Sequence, residues 1–178
     1  MVFTIYTIGH STRPIDDFVA LLQAFDISTL VDIRSIPRSR HNPQYEQDAL
    51  AASLKDAGIA YVHLKALGGL RPRTDSGLNS AWRNASFRNY ADYMQTPGFF
   101  QGLEELIHLA QAAPTAIMCA EAVPWRCHRS LVGDALLARG VRVVDILGPG
   151  KSADHQFTSF ARVQGEEVTY PGTEAQDG

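Results

Sequence analysis

Hydrophobic residues gather in five short runs: Thr4 to Ile8, Thr29 to Ile33, Ala60 to Leu64, Thr115 to Cys119 and Val141 to Ile146. Most are rich in Val, Ile and Leu and do not alternate strictly with polar residues, the pattern of strands covered on both faces. Between these runs, apolar positions recur at three- and four-residue steps. Ile15, Phe18, Val19, Leu21, Leu22 and Phe25 do so after Ser11-Thr12-Arg13-Pro14, where a hydroxyl cap and an early proline suit a helix start. Glu46 to Ala57 predicts a second helix stopped by Gly58. Ser86 to Gln95 predicts a short helix, Phe99 to Ala112 a long one ended by Pro114, and Cys127 to Ala138 a last one ended by Gly140.

Strands that alternate with helices through short links predict right-handed crossovers and a mainly parallel sheet. The expected fold is therefore α/β, a single three-layer domain over residues 1–164 with a mainly parallel five-stranded sheet of Rossmann-like or flavodoxin-like kind. At 178 residues and 45% hydrophobic content, one core is expected and two are not. The stretch 68–98 breaks the rhythm as a long insertion after the third strand. It carries Gly68-Gly69-Leu70-Arg71-Pro72-Arg73 and the rings of Trp82, Phe87, Tyr90 and Tyr93. Such a segment reads either as a lid that stacks a base or as aromatics pinning an insertion to the core. Gly148-Pro149-Gly150-Lys151 reads as a turn, and residues 165–178 as a C-terminal tail, mobile in its last residues.

A formal net charge of −3 argues against a generally basic coat for nucleic acid, yet the cations are distributed unevenly. Of the 16 basic residues, 13 are Arg and 3 are Lys. Arg34, Arg38, Arg40 and His41 follow the second strand, and His63, Lys65, Arg71 and Arg73 surround the end of the third, in segments without an acidic residue. Guanidinium forks match carboxylate and phosphate oxygens, so these loops suit an anion; a solvated loop face is the plainer alternative. Two cysteines make no disulfide framework, no leader-like segment opens the chain, and no apolar window nears the roughly 18 residues that span a bilayer. A cytoplasmic, reducing setting without membrane contact is the expectation.

The densest chemistry is Cys119-Ala120-Glu121-Ala122-Val123-Pro124-Trp125-Arg126-Cys127-His128-Arg129, at a strand-to-helix turn where open α/β sheets bind ligands. Together with Thr7-Ile8-Gly9-His10-Ser11, Val31-Asp32-Ile33-Arg34 with Pro37 and Ser39, Gly58-Ile59-Ala60-Tyr61 and Leu67-Gly68-Gly69, this run resembles the domain of unknown function 488 family (DUF488) from about Thr4 to about Leu147. The resemblance implies an α/β domain of bacterial and archaeal type. Its signature residues would be Gly9-His10-Ser11, Asp32, Arg34, Cys119, Glu121, Cys127, His128 and Arg129. The family carries no settled activity, so the chemistry rests on the residues themselves.

In a parallel sheet, His10 and Ser11, Arg34, and Cys119 with Glu121 leave three strands at one edge. Glu121 is the favoured proton-transfer group, the competing picture being a salt bridge to Arg129 or Arg34. His10 and His128 are the imidazoles at hand, each also suited to a cap or core hydrogen bond, with His128 favouring its neutral form beside arginines. Cys127, expected in the first turn of the last helix, is either a thiolate or a packing thiol, and Cys119 is expected to pack inertly at the strand end. Ser11 serves as an anion ligand, a nucleophile or a helix cap; Asp32 orients Arg34 or His10. Arg34, Arg38, Arg71 and Arg129 are the candidate anion-binding residues. Cys119, Cys127, His10 and His128 have metal-binding side chains, but their spacing fits no standard zinc pattern and the arginines repel a cation, so neither metal nor cofactor is expected.

The leading expectation is an enzyme that acts by hydrolysis or group transfer on a phosphate-bearing substrate, a nucleotide or nucleic-acid component. Arg34, Arg38 and Arg129 would hold the anion while Glu121 and His10 move protons. A non-catalytic nucleotide or nucleic-acid sensor is the rival, and a thiol redox or metal protein the third reading.

Overall fold

The computed structural model describes residues 3–172. Six strands form one sheet in the order β3-β2-β4-β1-β5-β6, with β1 Thr4–Gly9, β2 Thr29–Asp32, β3 Ala60–His63, β4 Thr115–Cys119, β5 Arg142–Gly148 and β6 Lys151–Asp154. The five strands read from the apolar runs are mutually parallel, and β6 pairs antiparallel with β5. This sixth strand, Lys-Ser-Ala-Asp, is exposed along its length and so carries no hydrophobic signature. It forms because the turn after β5, with Gly150 at φ 66°, folds it back onto its neighbour.

Five helices cover the sheet: α1 Ile15–Ala24, α2 Gln47–Asp56, α3 Ala85–Tyr93, α4 Pro97–Ala112 and α5 Arg129–Ala138. Successive strand residues face opposite layers. Ile8, Leu30, Ala116 and Met118 pack with Phe18, Leu21 and Leu22 of α1 and Leu50 and Leu54 of α2. Ile5, Val31, Ile117 and Val143 pack with Leu103 and Leu106 of α4 and Leu131, Val132 and Leu136 of α5. Both strand faces are buried, which explains the near-continuous apolar runs.

Chain direction follows from this layering. From β1 the chain runs through α1 to β2 and through α2 to β3 on one face; from β4 it runs through α5 to β5 on the other. Strand β4 therefore has, on each side, a neighbour whose connection leaves toward the opposite face. Each such divergence opens a crevice beyond the carboxyl ends of the strands. The fold thus offers two, one between β4 and β1 and one between β4 and β2.

The segment expected as a free tail is folded as far as Gly172. A hairpin of β7 Arg162–Gln164 and β8 Glu167–Thr169 leads to Tyr170, which is fully buried. Asn79 Oδ1 accepts from the Tyr170 amide at 2.9 Å, and Ala81 N–H donates to the Tyr170 carbonyl at 3.0 Å. Trp82 packs edge-on against Phe87, Phe160 and Tyr170. Aromatic packing thus ties the insertion to the C-terminal segment. Residues 173–178, the end of the expected tail, lie outside the described residues.

Candidate functional site

The β1–β4 crevice is closed by the chain itself. His10 N–H donates to the Cys119 carbonyl at 3.0 Å and Ser11 N–H to the Ala120 carbonyl at 2.9 Å, extending the parallel pairing beyond both strands. Gly9 permits this approach: a Cβ there would sit 1.6 Å from the Glu121 carbonyl oxygen. The His10 ring stacks on buried Tyr45 at 4.1 Å and 15°, its Nδ1–H donates to the Ser11 carbonyl at 2.7 Å, and its Nε2 lies 3.5 Å from Arg34 Nη1. Burial first, then the Arg34 charge, lowers its pKa to about 4, against the opposing pull of the Ser11 hydrogen bond and Asp32. His10 is therefore neutral near pH 7 and held on both nitrogens. Ser11, at φ 50°, caps nothing: α1 starts after Pro14 and has no side-chain cap.

The β2–β4 crevice stays open as a pocket of about 350 Å³. Arg34 to Ile36 and Arg38 line it from the exit of β2, and Cys119 to Glu121 from the exit of β4. Arg126 to His128 come from the turn before α5, Gly69 and Leu70 from the start of the insertion, and Ser86 and Phe87 from α3. Of the residues singled out in the sequence, Arg34, Arg38, Cys119, Glu121, Cys127 and His128 meet here. His10, Ser11, Asp32, Arg71 and Arg129 are outside the lining.

Arg34 is mostly committed. Its Nε and Nη2 donate to the two oxygens of Asp32 at 2.9 and 2.7 Å, and Tyr61 Oη adds a 2.6 Å bond to the same carboxylate. Burial disfavours the Arg34 cation, but the Asp32 carboxylate outweighs it, so the guanidinium stays charged. Arg71 is spent on the insertion: it donates to the Gly68 and Lys65 carbonyls and lies 3.7 Å over the Tyr93 ring. Arg38 and Arg126, by contrast, are exposed on the pocket rim, and neither has a carboxylate partner among the described residues.

The turn Pro124–Arg126 is one turn of 3-10 helix, and α5 begins only at Arg129. Cys127 consequently lies just outside the helix. It and Cys119 act on each other's acidity, while the Cys119 S–H donates to the Glu121 carbonyl at 3.7 Å. His128 Nε2–H donates to the Ile33 carbonyl at 2.9 Å, leaving Nδ1, 3.4 Å from the Cys127 sulfur, as an acceptor. Burial lowers the His128 pKa to about 4, so this imidazole is neutral as well. Gly69 makes room for it; a Cβ there would stand 2.7 Å from Nδ1.

Arg129 lies behind the two thiols. It is fully buried, Nη2 reaches the Ala122 carbonyl at a long 3.4 Å, and Nε and Nη1 have no partner. A buried cation without a counterion costs several kcal/mol, and the Arg129 charge acts on both sulfurs. Burial pushes the Cys119 thiol up, but Cys127, the Arg129 charge and the Glu121 backbone together bring it below its ordinary value. Cys127, beside Cys119 and itself buried, is pushed well up. Cys119 is thus the more acidic of the two thiols. Sequence reading offers Cys127 as a thiolate or a packing thiol and Cys119 as an inert one, whereas the two shifts make Cys119 the more acidic.

Sequence reasoning also missed Ser35, Ile36 and Leu70 as pocket walls and Arg126 as a rim cation; of the rings named in the insertion, Phe87 lines the pocket. Position directly after β2 was the available signal for Ser35 and Ile36, and the Gly68-Gly69 pair for the close approach at His128. Among the described residues, no group of three or more His, Cys, Asp or Glu is arranged to hold a metal ion, and no helix is long and apolar enough to cross a membrane.

The profile of DUF488, a domain of unknown function, matches residues 14–136. The chain belongs to the DUF488 family. The match spans every residue of the open pocket and stops short of β5 and the C-terminal segment; it also begins after the Gly9-His10-Ser11 plug, so it is narrower than the span suggested by motif resemblance. No curated protein and no solved structure matches the chain.

Proposed function

We propose that the pocket is the active site of an enzyme that acts on a phosphate-bearing substrate, a nucleotide or nucleic-acid component, by hydrolysis or group transfer. Cys119 is the attacking atom. The observation that carries this reading is the pair of cysteines in the wall of a pocket whose rim holds Arg38 and Arg126, with the unpartnered Arg129 acting on both thiols. The two rim guanidiniums suit an anionic group, and exposed Ile36 and Leu70 with Phe87 suit the planar remainder of the substrate. In a phosphoryl transfer, the Cys119 sulfur bonds to phosphorus as the P–O bond breaks, and the leaving oxygen takes up the thiol proton. Water then attacks phosphorus, the P–S bond breaks, and Glu121, exposed at the pocket edge, carries the water proton back to the sulfur. His10, the imidazole expected to share the proton work, has no part in this reading because both its nitrogens are engaged.

The experiment is a turnover screen of phosphate monoesters and nucleotides with wild type, Cys119→Ser, Glu121→Gln and Arg38→Ala/Arg126→Ala. Cys119→Ser and Glu121→Gln are expected to lower kcat by about a hundredfold or more, and the rim pair to raise KM instead. Wild-type turnover by Cys119→Ser would remove the nucleophile from the reading. A second reading, a binding module without turnover, draws on the two neutral, fully engaged imidazoles, which leave the pocket no free histidine. It predicts saturable nucleotide binding, lost in the rim double variant, with no product formed by wild type.

A further inference from the structure

Cys119 and Cys127 are the only cysteines of the chain, and each acts on the other's acidity. Both line the open pocket although they are only 1% and 7% exposed, so a small reagent reaches them through that pocket and a bulky one does not. A more acidic thiol and a less acidic one on the same pocket wall is the arrangement that peroxide chemistry uses in two steps. Arg129 supplies the second, independent observation: a fully buried guanidinium with two unpartnered nitrogens beside the sulfurs stabilises a negative charge there.

We infer that the pair is a site of reversible oxidation by hydrogen peroxide or a small alkyl hydroperoxide, closing a Cys119–Cys127 disulfide that removes the nucleophile from the pocket. The inference rests on the same thiol as the proposed function but needs no phosphate-bearing substrate. In the first step, Cys119 sulfur attacks the nearer peroxide oxygen. The O–O bond breaks, Cys119 becomes a sulfenic acid, and the leaving oxygen takes a proton to depart as water or alcohol. In the second, Cys127 sulfur attacks Cys119 sulfur. The S–O bond breaks, and the hydroxyl leaves as water with the proton that Cys127 gives up. Two thiols lose two electrons in total and one peroxide gains them. The disulfide carries no charge, so the oxidised pocket binds anions at its rim without a means of attack.

The test treats reduced full-length protein with hydrogen peroxide and follows intact mass, free thiols and peroxide consumed. The expected result is one peroxide per chain, loss of both thiols and of two hydrogens, and full recovery with dithiothreitol. Cys127→Ser should stop at a sulfenic acid on Cys119 that a 1,3-dione captures, and Cys119→Ser should consume peroxide roughly tenfold more slowly or less. Retention of both thiols by wild type, or onward oxidation of Cys119 to a sulfinic acid while Cys127 stays reduced, overturns the inference; the wild-type measurement stands even if a variant fails to fold. Oxidation without any phosphate turnover overturns the proposed function alone, and turnover without oxidation overturns this inference alone.

Discussion

Two buried polar clusters draw on α5, one through Asp134 and one through Arg129, and they differ in how completely they are satisfied. In the first, His155 sits between Asp134 and Asp145, with Nε2 and Nδ1 at 3.0 and 2.9 Å from the two carboxylates. Tyr170 Oη takes the second oxygen of Asp134 at 2.7 Å, Thr158 N–H shares the first, and Thr7 donates to the remaining oxygen of Asp145. Every carboxylate oxygen and both ring nitrogens have a partner. In the other, Arg129 has two bare nitrogens, and its charge acts on both thiols. A saturated network fixes structure, whereas a half-satisfied one is retained at a cost in stability and marks where chemistry is to be sought. The first cluster joins β1, β5 and α5 to the C-terminal segment; the second faces the pocket.

The most direct way to break the saturated cluster is Asp134→Ala, which leaves the Tyr170 hydroxyl, the Thr158 amide and one nitrogen of His155 without acceptors. The expected loss is about 3–5 kcal/mol in urea unfolding, with release of the hairpin β7–β8. A loss under about 1 kcal/mol would show that the cluster is not a latch.

The pH dependence of stability separates the two sides next. Burial opposes the charge on His155, but Asp134 and Asp145 raise its pKa to about 9. A folded pKa above the unfolded value of about 6.5 stabilises fully below that value, and the contribution disappears as pH rises through about 9. His128 and His10, lowered to about 4, act at the other end: their neutral folded forms stabilise above about 6.5, and that contribution is lost as pH falls toward 4. Each end is worth on the order of a few kcal/mol. His155→Gln should flatten the alkaline limb of a Tm-against-pH curve and leave the acid limb, a result that an alkaline limb unchanged in the variant would contradict.

The strands and helices were legible because burial on both faces leaves long apolar runs, whereas β6 and β7, exposed throughout, leave none. The candidate site was legible in composition and less so in roles. Arg129 and Arg126 flank the same cysteine, yet one is fully buried and the other exposed, because α5 buries Arg129, Ser130 and Asp134 along with its apolar residues between the sheet and the C-terminal segment. No three-to-four periodicity marks a helix buried nearly all round. His10 left the first strand at the expected edge, but which of two crevices stays open depends on the strand order, and strand order is set by long-range pairing. The thiol roles depend on how Cys119, Cys127 and Arg129 act on one another, which spacing along the chain does not encode.

Arg129→Met removes a buried cation that has no carboxylate partner, and the groups it acts on are two thiols, which remain neutral and weakly polar without it. The stability change should therefore stay within about 1 kcal/mol, unlike Asp134→Ala, because no bare charge and few bare donors remain. Reactivity should move instead. Without the guanidinium, the Cys119 pKa rises, and its alkylation by iodoacetamide at pH 7 should slow by roughly tenfold, the amount one pKa unit gives. The same reagent at a pH well above that of either thiol should react alike with both proteins, since the thiolate then forms without help. A variant that loses several kcal/mol while its alkylation profile stays that of wild type would move Arg129 to the structural side of α5 and leave the thiol pair without its electrostatic support.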